Sequence, residues 1–477
     1  MTKEVLSSRS ISEFNLILLP GFVQWDTRRL EEEFSILIRK GPEFASDLPM
    51  VFNKIEDINL SNTLPANRLI QTSGEAFYDE IKSKKYEIAK ENLGKSIYYI
   101  NEKKSNILIG RGLPPPIIAE IVNCTGKNDT SIIKKAQHYI NSGAAVIDIG
   151  CISNKPKPER VREIIQLLHE EFSVLLSIDS MEPSELHAAV DEGIDMILSL
   201  DMGNYKEMQN IPKDIPIVIL PTNVREGYFP REPKIRVENL GNLTKKLHNL
   251  GFKRLIADPL LETPISPGIS NSLEAYFLYN RSRVDTKLPL FFGISNVVEL
   301  MDIDSVGING LLASIAIELG AGILFTVEHS TKLFGGVKEL SECIKLNYIA
   351  NYKKTPPINQ GIRIFKAKGK TKQKIPKIMK KNAIEVEMDK NDYVPDEKGY
   401  FKCYVNHYST KIFLLFYSNE HKLRYTLMGS RAEDISKKVL ELKLTENLSH
   451  INYLGRELTK AEYCLYTGKP YIQDEKL

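Results

Sequence analysis

The chain has 477 residues, enough for roughly two to four domains of ordinary size. Hydrophobic residues make up 42%, charged residues 26%, and the net charge is +3, which argues against bulk disorder and against an electrostatically driven nucleic-acid binder. Five widely spaced cysteines without a C-x-x-C (Cys124, Cys151, Cys343, Cys403 and Cys464) exclude a disulfide scaffold and a zinc ribbon, and suit a reducing cytoplasm. No repeat of solenoid length stands out, and no apolar leader opens the chain. The most apolar stretch, Ile308 to Phe325, is interrupted by Asn309 and Glu318. It reads as soluble core, so no membrane association is expected.

In chain order, Phe14–Leu19 reads as a strand, Gly74–Asn92 as a helix and Asn106–Gly110 as another strand. Residues 1–110 are expected to form a small α/β region, followed by the stiff segment Arg111-Gly112-Leu113-Pro114-Pro115-Pro116. Eight short β-branched runs then alternate with amphipathic helical stretches: Ile117–Asn123, Ala145–Gly150, Val174–Ser180, Met196–Asp201, Pro216–Pro221, Arg254–Pro259, Pro289–Ser295 and Ile323–Glu328. Asp129 or Thr130 is the expected cap of the first helix, which carries Ile132, Ile133, Ala136 and Ile140 on one face and stops at Gly143. The fifth helix repeats the pattern with Leu240, Leu243, Leu247 and Leu250 before Gly251.

Eight βα units in residues 111–351 predict a (β/α)8 TIM barrel. The competing doubly wound sheet would carry a glycine-rich phosphate turn after the first strand, but that turn reads Asn123-Cys124-Thr125-Gly126-Lys127. Residues 352–381 form a linker with eight lysines between Lys366 and Lys381. It reads as a solvated charge run; no aromatic follows Phe365 to stack an RNA base. Residues 382–477 read as an α+β module, with a strand at Lys411–Tyr417 and helices at Ala432–Leu442 and Ser449–Tyr466.

A barrel binds ligands at the C-terminal ends of its strands, and here all eight end in polar groups. They supply Asn123, Asp148, Asp179 with Ser180, Ser199 with Asp201, Thr222 with Asn223, Asp258, Ser295 with Asn296, and Glu328 with His329. Any one of them has an ordinary explanation, because strand ends meet solvent. The full ring is harder to explain by packing. Few cations accompany it (Lys155, Arg225 and Arg231 in the loops), so a phosphate-dominated ligand fits poorly. Carboxylates and amides suit a flat heterocycle with an amidine-like edge, such as a pterin or guanine.

Several of these segments resemble the dihydropteroate synthases and the pterin-dependent corrinoid methyltransferases. They are E-I-V-N-C-T at Glu120–Thr125, G-A-A-V-I-D-I-G at Gly143–Gly150, L-S-I-D-S at Leu176–Ser180, E-G-I-D-M-I at Glu192–Ile197, R-L-I-A-D-P at Arg254–Pro259 and F-F-G-I-S-N at Phe291–Asn296. The resemblance implies a pterin-binding barrel in which Asp179, Asp258 and Asn296 hold the pterin, with Ser199 and Asp201 beside them. Asn123 would meet both the ligand and a magnesium ion. The synthases' strand-seven Lys is absent at Gly293-Ile294-Ser295-Asn296-Val297, and their strand-eight Arg is absent at Thr326-Val327-Glu328-His329. The pterin half of the site is kept and the diphosphate half is mostly lost. His329 is the candidate acid or base, or else a cap of the last helix.

The whole chain is similar to an archaeal group of dihydropteroate synthase-related proteins, with the end of the C-terminal module, Tyr453 through Asp474, as its signature. His450, Arg456 and Glu457 there bind a ligand or, more simply, hold a helix and a tail together. Three functions follow from the resemblance: a transferase in folate or tetrahydromethanopterin-like synthesis or one-carbon metabolism, a methyl-tetrahydropterin methyltransferase or its pterin-binding component acting with a methyl-acceptor protein, and a non-catalytic pterin binder. A corrinoid on His450 is not expected, Cys124 and Cys151 read as small apolar residues, and a homodimer is expected by analogy with the barrel family.

Overall fold

The computed structural model describes the chain apart from residues 1, 9, 10, 12, 24, 44, 53, 54, 57, 70–73, 95, 283–287, 363, 366–394, 476 and 477. The lysine run between Lys366 and Lys381 therefore lies outside the described residues.

Eight parallel strands close into a barrel: β1 (Ile117–Ile121), β2 (Val146–Gly150), β3 (Leu175–Asp179), β4 (Met196–Leu200), β5 (Ile217–Ile219), β6 (Leu255–Ala257), β7 (Leu290–Gly293) and β8 (Ala321–Val327). The first seven lie within stretches expected to be strands, and β8 begins two residues before the expected Ile323. β8 pairs with β1 through Leu324↔Ile117 and Val327↔Glu120, which completes the ring. Strand seven stops at Gly293, and Ser295 and Asn296 instead begin a short helix, Ser295–Glu299.

Side-chain alternation sorts the strands into two apolar layers. Ile117, Ala119, Ile121, Ile147 and Ile149 pack outward against the helices. Ile118, Val146, Leu175, Met196, Leu198, Ile256, Phe291 and Phe325 fill the barrel interior. The first barrel helix spans Asp129–Asn141, and its cap is Asn128, ahead of both expected positions, Asp129 and Thr130. The Asn128 side chain accepts the Ser131 N–H, because Asn128 is the last residue in extended conformation before the helix. Ile132, Ala136 and Tyr139 are its buried face, whereas Ile133 and Ile140 are half-buried. Leu240, Leu243 and Leu247 are buried as expected on the helix Pro233–Asn249.

The hairpin formed by Ile97–Tyr99 and Leu108–Gly110 was expected to belong to the N-terminal region. It plugs the closed end of the barrel instead: Tyr98, Ile100 and Ile109 join the interior cluster, and the Tyr98 hydroxyl donates to the Leu255 carbonyl at 2.9 Å. The N-terminal region proper holds a parallel pair, Leu16–Leu19 with Leu37–Lys40, and the helix Gly74–Lys90. That helix meets the last barrel helix, Gly336–Lys353, through the edge-on rings of Tyr78 and Tyr348.

The C-terminal module is an antiparallel sheet of β9 (Tyr400–Asn406), β10 (Lys411–Tyr417) and β11 (Leu423–Gly429). One face, with Phe401, Cys403, Ile412, Leu414 and Phe416, is covered by the helices Ala432–Glu441 and Leu448–Thr467. His450 is tied to Asp396 at 2.8 Å, and Glu457 accepts the Tyr471 hydroxyl and bonds Lys460 at 2.7 Å. Both residues therefore fasten the helix to neighbouring chain, the simpler of the two expected roles. The β9–β10 hairpin carries His407 and Tyr408 to the barrel rim, where both pack on Phe334.

Candidate functional site at the barrel mouth

The alternation that sends Ile118, Val146 and Leu175 inward also sends in Glu120, Asp148, Ser177 and Asp179, nearer the C-terminal ends of their strands. In the parallel register Glu120 lies opposite Asp148, and Gly150 opposite Asp179. One oxygen from each of Glu120, Asp148 and Asp179 falls within 4.8 Å of the others. Asp148 is fully buried and takes the Ser177 hydroxyl on Oδ1 at 2.5 Å, while its Oδ2 has no partner among the described residues. Asp179 accepts from the Ser199 hydroxyl. Ser199 sits at φ 72°, where the β4–β5 register shifts between Ile197 and Leu200, and this irregularity directs its hydroxyl across to β3.

Burial pushes the Glu120 carboxyl up to about 8, and the charge of Asp179 adds to the shift. Burial, then the charges of Asp179 and Glu120, raise Asp148 well above the ordinary carboxylate range. Burial raises Asp179 too, against the pull of Ser199.

Asp258 follows β6 and is held from two sides. Its Oδ1 accepts the Leu260 N–H at 2.8 Å and lies 2.9 Å from the Tyr276 hydroxyl, which also lies 3.0 Å from the Phe291 carbonyl. Among the described residues no donor meets Oδ2. Burial raises its carboxyl to about 6, opposed by these bonds and by Arg236. The fully buried Arg236 guanidinium donates to the carbonyls of Pro230, Pro259 and Leu260 and pairs with Glu262, which fixes the loop after β6.

The other expected residues are distributed differently. Asp201 is fully buried, and its carboxylate accepts from the Gly203 N–H, the Thr222 hydroxyl and the Val224 N–H. It organises the loops after β4 and β5, and its oxygens are spent on that, not on a ligand. Asn123 is exposed on the loop after β1 at φ 51°, where its side chain caps nothing. Asn296 is exposed and donates to the Leu261 carbonyl at 3.1 Å. His329 is exposed at the seam between barrel and C-terminal module, lining a cavity of about 680 Å³ with Phe334, Tyr404, His407 and Tyr408. An adjoining cavity of about 460 Å³ reaches from Glu120 past His329 to Lys127, Lys134 and Lys135. These cations come from the first barrel helix and the turn before it, apart from the loop residues Lys155, Arg225 and Arg231.

Next to His329, Glu328 is buried. Burial pushes its carboxyl up, but His138 at 2.8 Å and Lys135 at 3.4 Å outweigh that and hold it below the usual range. Its Oε1 accepts the Val337 N–H. The thiols of Cys124 and Cys151 are pushed up by burial, Cys124 to about 12, which keeps them protonated and unreactive.

A family model described as pterin binding enzyme matches residues 122–326, and a second, PterinBD-DUF4346, matches residues 395–474. An uncharacterized protein of Methanocaldococcus jannaschii, MJ0107, is 30% identical over 464 residues, which cover 97% of this chain and 87% of that protein. The chain belongs to the dihydropteroate synthase-related, pterin-binding family. Within that family, the dihydropteroate synthase of Streptococcus pyogenes is 28% identical over 109 residues, covering 20% of this chain and 41% of the enzyme. That of Escherichia coli K12 is 27% identical over 142 residues, covering 21% and 50%. The solved dihydropteroate synthase of Yersinia pestis with a sulfonamide drug aligns with 52% of this chain and 98% of its own at 17% identity and a TM-score of 0.41. Among the described residues no helix is long and apolar enough to cross a membrane.

Proposed function

We propose that the chain is a transferase that holds a pterin on Asp258 and Asp179 and joins it to a second substrate, in the synthesis of folate or of a modified, tetrahydromethanopterin-like pterin. The observation that carries this reading is the state of Asp258. One oxygen is locked by Leu260 and Tyr276, and the other has no donor among the described residues. A carboxylate presented in that way can accept N–H bonds from an amidine-like edge. Lys127, Lys134 and Lys135 line the adjoining cavity and supply positive charge where an anionic group could leave or dock. This offsets the absence of the synthases' Lys from Gly293-Ile294-Ser295-Asn296-Val297 and of their Arg from Thr326-Val327-Glu328-His329. Asn123 offers an amide oxygen at the mouth to a magnesium ion carried with such an anionic group. His329, at the seam, would move a proton near the second substrate.

Calorimetric titration with a panel of pterins tests the first half of the reading. Wild type should bind, and Asp258→Ala should lose at least tenfold in affinity. Incubation of a hydroxymethyl-dihydropterin diphosphate with an arylamine tests the second half, with a new coupled mass as the expected product. Tight pterin binding without any such product would reject the transferase. A methyl-tetrahydropterin arm with candidate acceptors covers the methyl-transfer reading, which the amide of Asn296 favours over the synthases' basic residue.

A further inference from the structure

The geometry points to a divalent-cation site formed by Glu120, Asp148 and Asp179 on the inner wall of the barrel. Their oxygens lie within 4.8 Å of one another, a spread that one hard cation can bridge with metal–oxygen distances of about 2.0–2.6 Å. Three carboxylates in one cluster do not by themselves require an ion. The second observation is Asp148 Oδ2, which is fully enclosed and meets no donor among the described residues. An enclosed carboxylate oxygen left without a partner is costly, and a bound cation removes that cost.

Two further features agree. No Lys, Arg or His among the described residues forms an ion pair with any of the three acids, whereas the buried Glu328 has His138 and Lys135 and the buried Asp195 has Lys104. Gly150 also leaves room for the cluster. A Cβ at residue 150 would collide with Glu120 Oε1 and would lie 2.9 Å from its Cδ, so the absence of a side chain lets this carboxylate stand between β1 and β2. The donors are all oxygen, with no thiolate or imidazole, which selects Mg²⁺, Mn²⁺ or Ca²⁺ over zinc or copper. The site differs from Asn123, which lies on the exposed loop after β1.

Asp179 is common to this site and to the proposed pterin site, but ion binding is read without any pterin and pterin binding is read at Asp258, so this inference can fail while Asp258 still binds pterin, and the reverse also holds. Metal-stripped protein is titrated with Mn²⁺ while free Mn²⁺ is followed by electron paramagnetic resonance, and Mg²⁺ and Ca²⁺ are then added as competitors. The expected result is one Mn²⁺ per chain and a melting temperature that rises with Mn²⁺. Glu120→Gln and Asp148→Asn should each weaken binding at least tenfold and abolish the rise. Their melting curves without metal show whether they fold. Should either fail to fold, Gly150→Ala displaces Glu120 without changing the charge of the cluster, and it should weaken Mn²⁺ as well. No loss of free Mn²⁺ at millimolar concentration, or binding unchanged in the folded variants, would overturn the site.

Discussion

The carboxylate of Glu120 fills the space in which a side chain at residue 150 would stand. Because β1 and β2 are adjacent and in parallel register, the two residues act as one unit: the small residue on one strand makes room for the acid on the other. Gly150→Ala should therefore push the Glu120 carboxylate aside and destabilise the protein by about 1 kcal/mol, the low end of the cost of overpacking, because the colliding atoms belong to the far end of a flexible side chain. In a Glu120→Gly background the same substitution should cost little. Urea denaturation of the four proteins in a double-mutant cycle checks this, and additive effects would show that the two residues are not coupled.

Asp258 gives a pH prediction whose sign follows from its raised carboxyl, about 6 folded against 3.8 for the free group. A raised carboxyl favours the folded state while protonated. That contribution is fully present below pH 3.8 and is lost as pH rises through about 6. It amounts to about 3 kcal/mol at most. Pterin binding should run the other way, because the carboxylate is the form that accepts N–H bonds. Affinity should be constant above pH 7 and fall about tenfold per unit below pH 6. Asp258→Asn should flatten the stability profile between pH 4 and 7 and weaken the binding dependence, leaving the part that Asp179 contributes. Fluorescence titration and melting curves across this range measure both.

The contrast between Asp258 and Glu120 shows what the sequence made legible. The eight strands were readable because each is a short β-branched run between helical stretches. Asp179 and Asp258 were readable because they end such runs. Glu120 lies one place from the end of β1, a strand buried on both faces, so no polar alternation marked which side faces inward. Tyr276 and Arg236 sit on helices whose sequence pattern shows an outer ring, and their reach to Asp258 and to the loop after β6 is a long-range contact that no local pattern encodes. Asp201 misled for the opposite reason. It ends β4 as a ligand would, but the turn at residues 201–204 and the backbone at Val224 take up its oxygens.

Tyr276 tunes Asp258 from behind. Its hydroxyl lowers the Asp258 carboxyl, so Tyr276→Phe should raise the pH at which pterin affinity is half-lost. Affinity at pH 8 should stay near wild type, because the carboxylate is ionised there in both proteins. Loss of its one hydroxyl proton, shared between Asp258 and the Phe291 carbonyl, should reduce stability by about 1–2 kcal/mol. A uniform loss of affinity at every pH would show instead that Tyr276 shapes the pocket and leaves the proton on Asp258 unaffected.

Glu328 closes the barrel rim where β8 meets β1. Its N–H donates to the Tyr139 hydroxyl, which donates in turn to the Glu120 carbonyl, while its carboxylate takes His138, Lys135 and the Val337 N–H. Because the folded carboxyl lies below the free value of 4.5, its stabilising contribution is present above pH 4.5 and is lost as pH falls through the folded value. Glu328→Gln should cost about 2 kcal/mol at pH 7, less than a fully enclosed pair because His138 and Lys135 keep some contact with water. The difference between variant and wild type should shrink as the pH approaches 3. Equal stability losses at pH 7 and pH 3 would mean that the side chain acts by shape alone. With the strap loosened, hydrogen exchange should quicken at β8 and at the start of Gly336–Lys353 before it quickens at β3 or β4, since the Val337 N–H is the bond that ties that helix to the rim.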